Sequence, residues 1–168
     1  MSVTPDPTLL IVYHSVTGGT QQMAQAAARG AGRVAGLQLR LLRAQDAGAA
    51  DLLSAQAYVF ATPENLAAVA GVMKDFFDRS YYGALGRIEG RPYALLVCAG
   101  SDGSNALRQV ERIATGWRLR KVAESRIVCT HAQAPEAILA PKQVAAAELL
   151  ACEETGEALG NGLVMGVF

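Results

Sequence analysis

Three hydroxyl side chains, Ser15, Thr17 and Thr20, fall in one short stretch with Gly18 and Gly19 between them. Hydroxyls at that density donate to the oxygens of an anion, and adjacent glycines let the backbone approach it closely. The run His14-Ser15-Val16-Thr17-Gly18-Gly19-Thr20 follows an apolar stretch, Leu9–Tyr13, and precedes Gln21-Gln22-Met23-Ala24, which opens a helical pattern. A strand, loop and helix in that order leave free N–H groups at the helix start, where the macrodipole also favours negative charge. The chemistry implied is phosphate binding. No lysine follows the glycines, so this is not the G-x-x-x-x-G-K-[ST] loop of nucleotide hydrolases, and G-x-G-x-x-G is absent too. Helix capping alone would need one such hydroxyl, not three.

The elements that must carry this loop are legible as alternating segments. Apolar runs rich in β-branched residues predict strands at Leu9–Tyr13, Leu37–Leu42, Ala57–Ala61, Tyr93–Ala99 and Arg126–Thr130. Several are apolar almost throughout, as in strands covered by helices on both faces. Helical segments are predicted at Gly19–Ala35, Ala47–Ser54, Ala68–Tyr82, Asn105–Gly116 and Pro141 to about Leu159. Such alternation implies right-handed crossovers and a parallel five-stranded sheet in an α/β/α sandwich. The second strand is the most polar and suits an edge, so the order 2-1-3-4-5 fits, with a ligand crevice at the carboxyl ends of the first and third strands.

The chain has 168 residues, with fifteen basic side chains against fifteen acidic ones. That balance gives no electrostatic footprint for nucleic acid. No apolar run approaches the ~20 residues of a membrane span. Met1–Thr8 holds two prolines and no basic residue, unlike a signal peptide. The expectation is one cytoplasmic domain, residues 1–168, with no membrane or nucleic-acid partner. Cys98, Cys129 and Cys152 show no C-x-x-C spacing and read as buried, reduced thiols.

The pattern Ser-x-Thr-Gly-Gly-Thr after a first strand resembles the FMN-phosphate loop of flavodoxin-like proteins. Thr62-Pro63-Glu64-Asn65-Leu66, running on to Lys74-Asp75-Phe76-Phe77-Asp78-Arg79, is similar to the loop and helix after the third strand of flavodoxin-family NAD(P)H-dependent FMN oxidoreductases. Cys98-Ala99-Gly100-Ser101-Asp102-Gly103-Ser104 is similar to their loop after the fourth strand. The resemblance covers roughly residues 8 to 130 and implies a flavodoxin-like fold. It implies that Ser15, Val16, Thr17, Gly18, Gly19 and Thr20 hold the FMN phosphate, while Thr62–Leu66 and Ala99–Gly103 flank the isoalloxazine. It implies NAD(P)H as electron donor, a small-molecule acceptor such as a quinone or flavin, and allows a homodimer with a contact near Leu66–Val72. The alternative within the resemblance is a one-electron carrier, but carriers of that kind are strongly acidic and this chain is neutral. The sequence departs from the family at Leu66, Ala67 and Ala68, where aromatics commonly wall the site. An aliphatic wall stacks less strongly on a flavin and predicts looser retention with more room over the ring.

His14 is expected to pack at its strand end, with phosphate contact or proton donation as the alternative. Phe76 and Phe77 should be buried beneath solvated charges. Arg108, Arg112 and Arg118 are candidates for the 2′-phosphate of NADPH, although an exposed helix needs no such purpose. A response-regulator reading fails, because the third strand ends Phe60-Ala61-Thr62 without an aspartate. Gly160–Phe168 is left unassigned.

Overall fold

A computed structural model describes residues 5–168. The N-terminal expectation therefore falls partly, at residues 1–4, outside the described residues. In chain order the elements are β1 (Thr8–Tyr13), α1 (Gly19–Ala31), β2 (Gln38–Arg43), α2 (Ala49–Ser54), β3 (Ala57–Asn65), β4 (Ala68–Val69) and α3 (Gly71–Ala84). They continue with β5 (Pro92–Ala99), α4 (Ser104–Gly116), β6 (Arg120–Lys121), β7 (Arg126–Cys129), α5 (Pro135–Leu139) and α6 (Ala146–Val164). Among the described residues no helix is long and apolar enough to cross a membrane.

The sheet runs β2-β1-β3-β5 in parallel, and β6 and β7 both pair with the outer edge of β5. This is the expected order with one correction. Among the described residues seven strands form, not five, because the last strand is interrupted between Lys121 and Arg126 and because β3 folds back on itself to make β4. Pleating sends alternate residues to opposite faces. Leu10, Val12, Tyr58 and Phe60 meet Met73, Phe76 and Trp117 on one side, while Leu9, Ile11, Val59 and Ala61 meet Met23, Ala27 and Cys152 on the other. Strands buried on both faces explain the near-continuous apolar runs.

Helix α1 packs on α6 at close range. A Cβ on Gly30 would stand 1.9 Å from the Glu153 carbonyl oxygen, and one on Gly156 would stand 1.9 Å from that of Ala27. Only glycine permits that approach. Arg29 and Arg33 close the same interface through the Glu153 carboxylate, at 3.0 and 2.6 Å. These contacts fix the C-terminal half of α1 on α6.

Helix boundaries differ from the sequence pattern where loops claim residues. α1 ends at Ala31 rather than Ala35. Residues Ala44–Asp46 form a 3-10 turn, and α2 starts at Ala49. Helix α3 starts at Gly71 because Ala68 and Val69 belong to β4, and α6 starts at Ala146 because Pro141–Ala145 is an extended strap. In the tail, α6 runs to Val164, and Phe168 turns back so that a Cβ on Gly162 would meet its ring at 2.4 Å.

Candidate functional site

The carboxyl ends of β1, β3 and β5 open into a cleft of about 350 Å³, within the ~300–1,000 Å³ typical of small-ligand pockets. Its lining includes Ser15, Val16, Thr17, Gly19 and Thr20 from the first loop, Pro63, Glu64 and Asn65 from β3, and Cys98, Ala99 and Gly100 from β5. Register explains the convergence: Tyr13 pairs with Ala61, and Pro63 with Cys98, so these strands run out together at the switch point.

The loop from Ser15 to Thr20 has the form of an anion cradle. Gly18 adopts a left-handed conformation and receives no side-chain cap on α1, so the first N–H groups of α1, from Gly19 to Gln21, have no intrahelical acceptor. Ser15 Oγ accepts the Gly18 N–H at 3.1 Å and sets the turn. The Thr20 hydroxyl is buried and, among the described residues, lacks a hydrogen-bond partner of good geometry, with the Cys98 thiol as its polar neighbour. An orphaned buried hydroxyl costs free energy that a phosphate oxygen would recover. A Cβ on Gly19 would stand 2.7 Å from Cys98 Sγ, so the floor of the cradle admits no side chain at that position.

The second wall differs from the expected simple loop. β3 continues through Asn65, turns at Leu66-Ala67, and pairs back through β4, with Glu64 opposite Val69 and Asn65 opposite Ala68. Leu66 and Ala67 have φ of 50° and 59°, which is the geometry of a two-residue hairpin turn normally given to Asn-Gly. The hairpin is bolted to α4. Glu64 Oε1 accepts the Gly103 N–H at 2.9 Å, and Oε2 accepts the Ala106 N–H at 3.0 Å. Asn105 Nδ2 donates to the Ala67 carbonyl, and the Val69 N–H donates to Gln109 Oε1 at 2.7 Å.

Of the residues singled out from sequence, Gly18, Thr62, Leu66, Ser101, Asp102 and Gly103 do not line the cleft. Thr62 is fully buried and donates to the Pro63 carbonyl. Leu66 is 102% exposed at the hairpin tip, so the aliphatic side chain expected to wall the site stands in solvent. Asp102 accepts from Ser104 at the start of α4. His14 sits at the end of β1, where burial and then the Arg43 charge lower its pKa, so the ring is neutral near pH 7. Phe76 and Phe77 are buried, and the charges beside them form surface pairs Lys74–Asp78 and Asp75–Arg79.

A third wall, not expected from the sequence, closes the cleft. Thr130, Ala132, Ile138, Leu139 and Lys142 line the cleft from the segment between β7 and α6. The available signal was length: this connection carries Pro135 and Pro141 and exceeds the few residues usual for a β-to-α loop, and such long connections are commonly functional. Burial pushes the Cys98 thiol up, with smaller opposing effects from Lys142 and Thr20, so the thiol stays protonated in the floor.

The model of the NADPH-dependent FMN reductase family matches residues 43–133, just over half of the chain. The chain belongs to that family. The matched stretch contains the β3 hairpin and the β5 loop, while the Ser15–Thr20 loop and α5 lie outside it. A flavodoxin of Aquifex aeolicus is 33% identical over 94 residues, 56% of this chain and 49% of that protein. An NAD(P)H dehydrogenase (quinone) of Acidithiobacillus ferrooxidans is 30% identical over 92 residues, 43% of this chain and 46% of that protein. The chain thus spans about half the length of these curated relatives. A WrbA-like flavodoxin of Agrobacterium tumefaciens superposes with a TM-score of 0.71 at 20% identity, covering 95% of this chain and 98% of that one. An archaeal flavodoxin superposes with a TM-score of 0.74 at 14% identity, covering 93% and 98%. The fold is flavodoxin-like, and the family's cofactor is FMN. The cradle fits that cofactor's phosphate, since it supplies free N–H groups, an unpartnered hydroxyl and a floor closed to any side chain at Gly19.

Proposed function

We propose that this protein is an FMN-dependent oxidoreductase that takes electrons from NAD(P)H and passes them to a small acceptor such as a quinone or free flavin. Bound FMN would supply the redox chemistry between nicotinamide and acceptor, which leaves binding, orientation and exclusion of water to the protein. Ser15, Thr17 and Thr20, with the N–H groups from Gly19 to Gln21, hold the phosphate. Pro63–Asn65 and Ala99–Gly100 form the two sides of the slot. Glu64 acts on the scaffold, fixing the β3 hairpin against α4 so that the slot keeps its width.

The observation that carries the enzyme reading is the open, apolar mouth of the cleft. Val16 and Leu139 are each 78% exposed at its rim, with Ile138 beside them. Such a rim receives a flat apolar reactant and leaves space over the slot that Leu66 does not fill. A protein-docking carrier would rely instead on a charged rim for steering, and the chain's formal charge is zero. The Aquifex flavodoxin match supports the carrier as the second reading. Steady-state assays separate the two: oxidation of NADPH or NADH with a benzoquinone, dependent on added FMN, is expected. Reduction of a redox-protein partner without any turnover of nicotinamide would favour the carrier.

A further inference from the structure

Two of the residues lining the cleft carry charge, Glu64 and Lys142. Both Glu64 oxygens already accept N–H groups of α4. Lys142 is differently placed. Its N–H donates to the Thr17 carbonyl at 2.8 Å, and its own carbonyl accepts from Gln22 Nε2 at 2.7 Å. Gln22 also donates to the Gly18 carbonyl at 2.9 Å and accepts the Val144 N–H at 3.1 Å. One glutamine on α1 therefore staples the strap around Lys142 to the phosphate loop. The Lys142 Cβ lies 3.5 Å from the point a Cβ on Gly19 would occupy.

The ammonium group, by contrast, has only neutral partners. Nζ donates to the carbonyls of Ala137 at 2.9 Å, Ile138 at 2.8 Å and Ala140 at 2.6 Å. It pairs with no carboxylate among the described residues. A phosphate monoester, at nearly two negative charges, is a stronger acceptor for an ammonium than backbone carbonyls are. The loop from Ser15 to Thr20 offers hydroxyls and N–H groups but no cation of its own.

We propose that Lys142 is the cationic member of the phosphate subsite, its ammonium turning from the end of α5 to the phosphate of FMN when the cofactor binds. The inference rests on the FMN reading above. Neither motif spacing nor the family match reaches this residue, because it lies beyond residue 133. The strap brings it to the loop from more than a hundred residues away in sequence. Two consequences follow. Lys142 contributes to binding of FMN but not of riboflavin, which has the same ring system without the phosphate. Its contribution weakens with salt, as for any partly exposed ion pair.

The test compares flavin fluorescence quenching by the wild type, Lys142→Gln and Lys142→Arg, with FMN and riboflavin, at low and high sodium chloride. Glutamine keeps a donor for the α5 carbonyls and removes the charge. Lys142→Gln should weaken FMN at least about tenfold and riboflavin less than about twofold, as loss of one charge-assisted contact to the phosphate predicts. It should also flatten the salt dependence, and Lys142→Arg should restore most of both. Equal weakening of FMN and riboflavin would overturn the proposal and make Lys142 a tether for the strap. Unchanged FMN affinity in Lys142→Gln would overturn it too. Wild-type protein that quenches neither flavin would instead refute the FMN reading itself.

Discussion

Glu64→Ala removes a carboxylate that accepts two N–H groups at the start of α4, Gly103 at 2.9 Å and Ala106 at 3.0 Å. Hydrogen bonds to a charged group contribute about 1.5–3 kcal/mol each, and loss of an N-cap costs about 0.5–2 kcal/mol. Glu64 is half-buried and water can reach part of the site, so the lower end applies. The expected destabilisation is about 2–3 kcal/mol, or about 5–10 °C in Tm for a chain of this size. Glu64→Gln keeps one acceptor but turns an NH2 towards the other N–H, and should cost about 1–2 kcal/mol. Urea unfolding of the cofactor-free protein measures both. FMN affinity should fall alongside stability, because the hairpin that walls the slot loosens. A Glu64→Gln protein with wild-type urea midpoint and sharply weaker FMN binding would refute the scaffold role and make the carboxylate a direct cofactor contact.

Replacing Leu66-Ala67 by Asn-Gly should raise stability by about 1–2 kcal/mol, because the two residues hold φ of 50° and 59°, where Asn and Gly rest at little cost. An unchanged or lower Tm would mean that the turn is not strained. Thr20→Val deletes a buried hydroxyl with no partner. Cofactor-free stability should hold or rise, while FMN affinity falls about tenfold from loss of one charge-assisted contact. Equal loss of both would assign Thr20 to packing. For His14, burial and then Arg43 lower the folded-state pKa below 6.5. The unfolded chain therefore binds the proton more readily, and this contribution to stability, complete above about pH 6.5, is lost as pH falls through the folded value. Tm should drop less between pH 7.5 and pH 5 in His14→Gln than in the wild type, and identical drops would exclude His14 as a source of acid sensitivity.

Much of the scaffold was readable because burial on both sheet faces leaves an apolar signature in each strand. The loop from Ser15 to Thr20 stands out in the sequence because its hydroxyls and glycines are adjacent. The β3 hairpin does not, since Leu66-Ala67 carries none of the turn residues its geometry favours. Glu64 stands within a site motif and lines the cleft, but its partners, N–H groups about forty residues further on, left no mark in that motif. Nor was the wall made by Ile138, Leu139 and Lys142 readable. It depends on a strap whose anchors, Thr17 and Gln22, lie at the other end of the chain. Tertiary contacts of that separation leave no periodicity to read.

On the proposed function, the cleft at the ends of β1, β3 and β5 binds FMN and exchanges electrons with a nicotinamide. The direct measurement is the visible spectrum of protein loaded with FMN, freed of excess, and titrated anaerobically with NADPH and then NADH. Retained yellow colour that bleaches in proportion to the nicotinamide added is expected. Colour that resists both nicotinamides yet bleaches with dithionite would contradict the enzyme, and protein that retains no flavin at micromolar concentration would contradict the site.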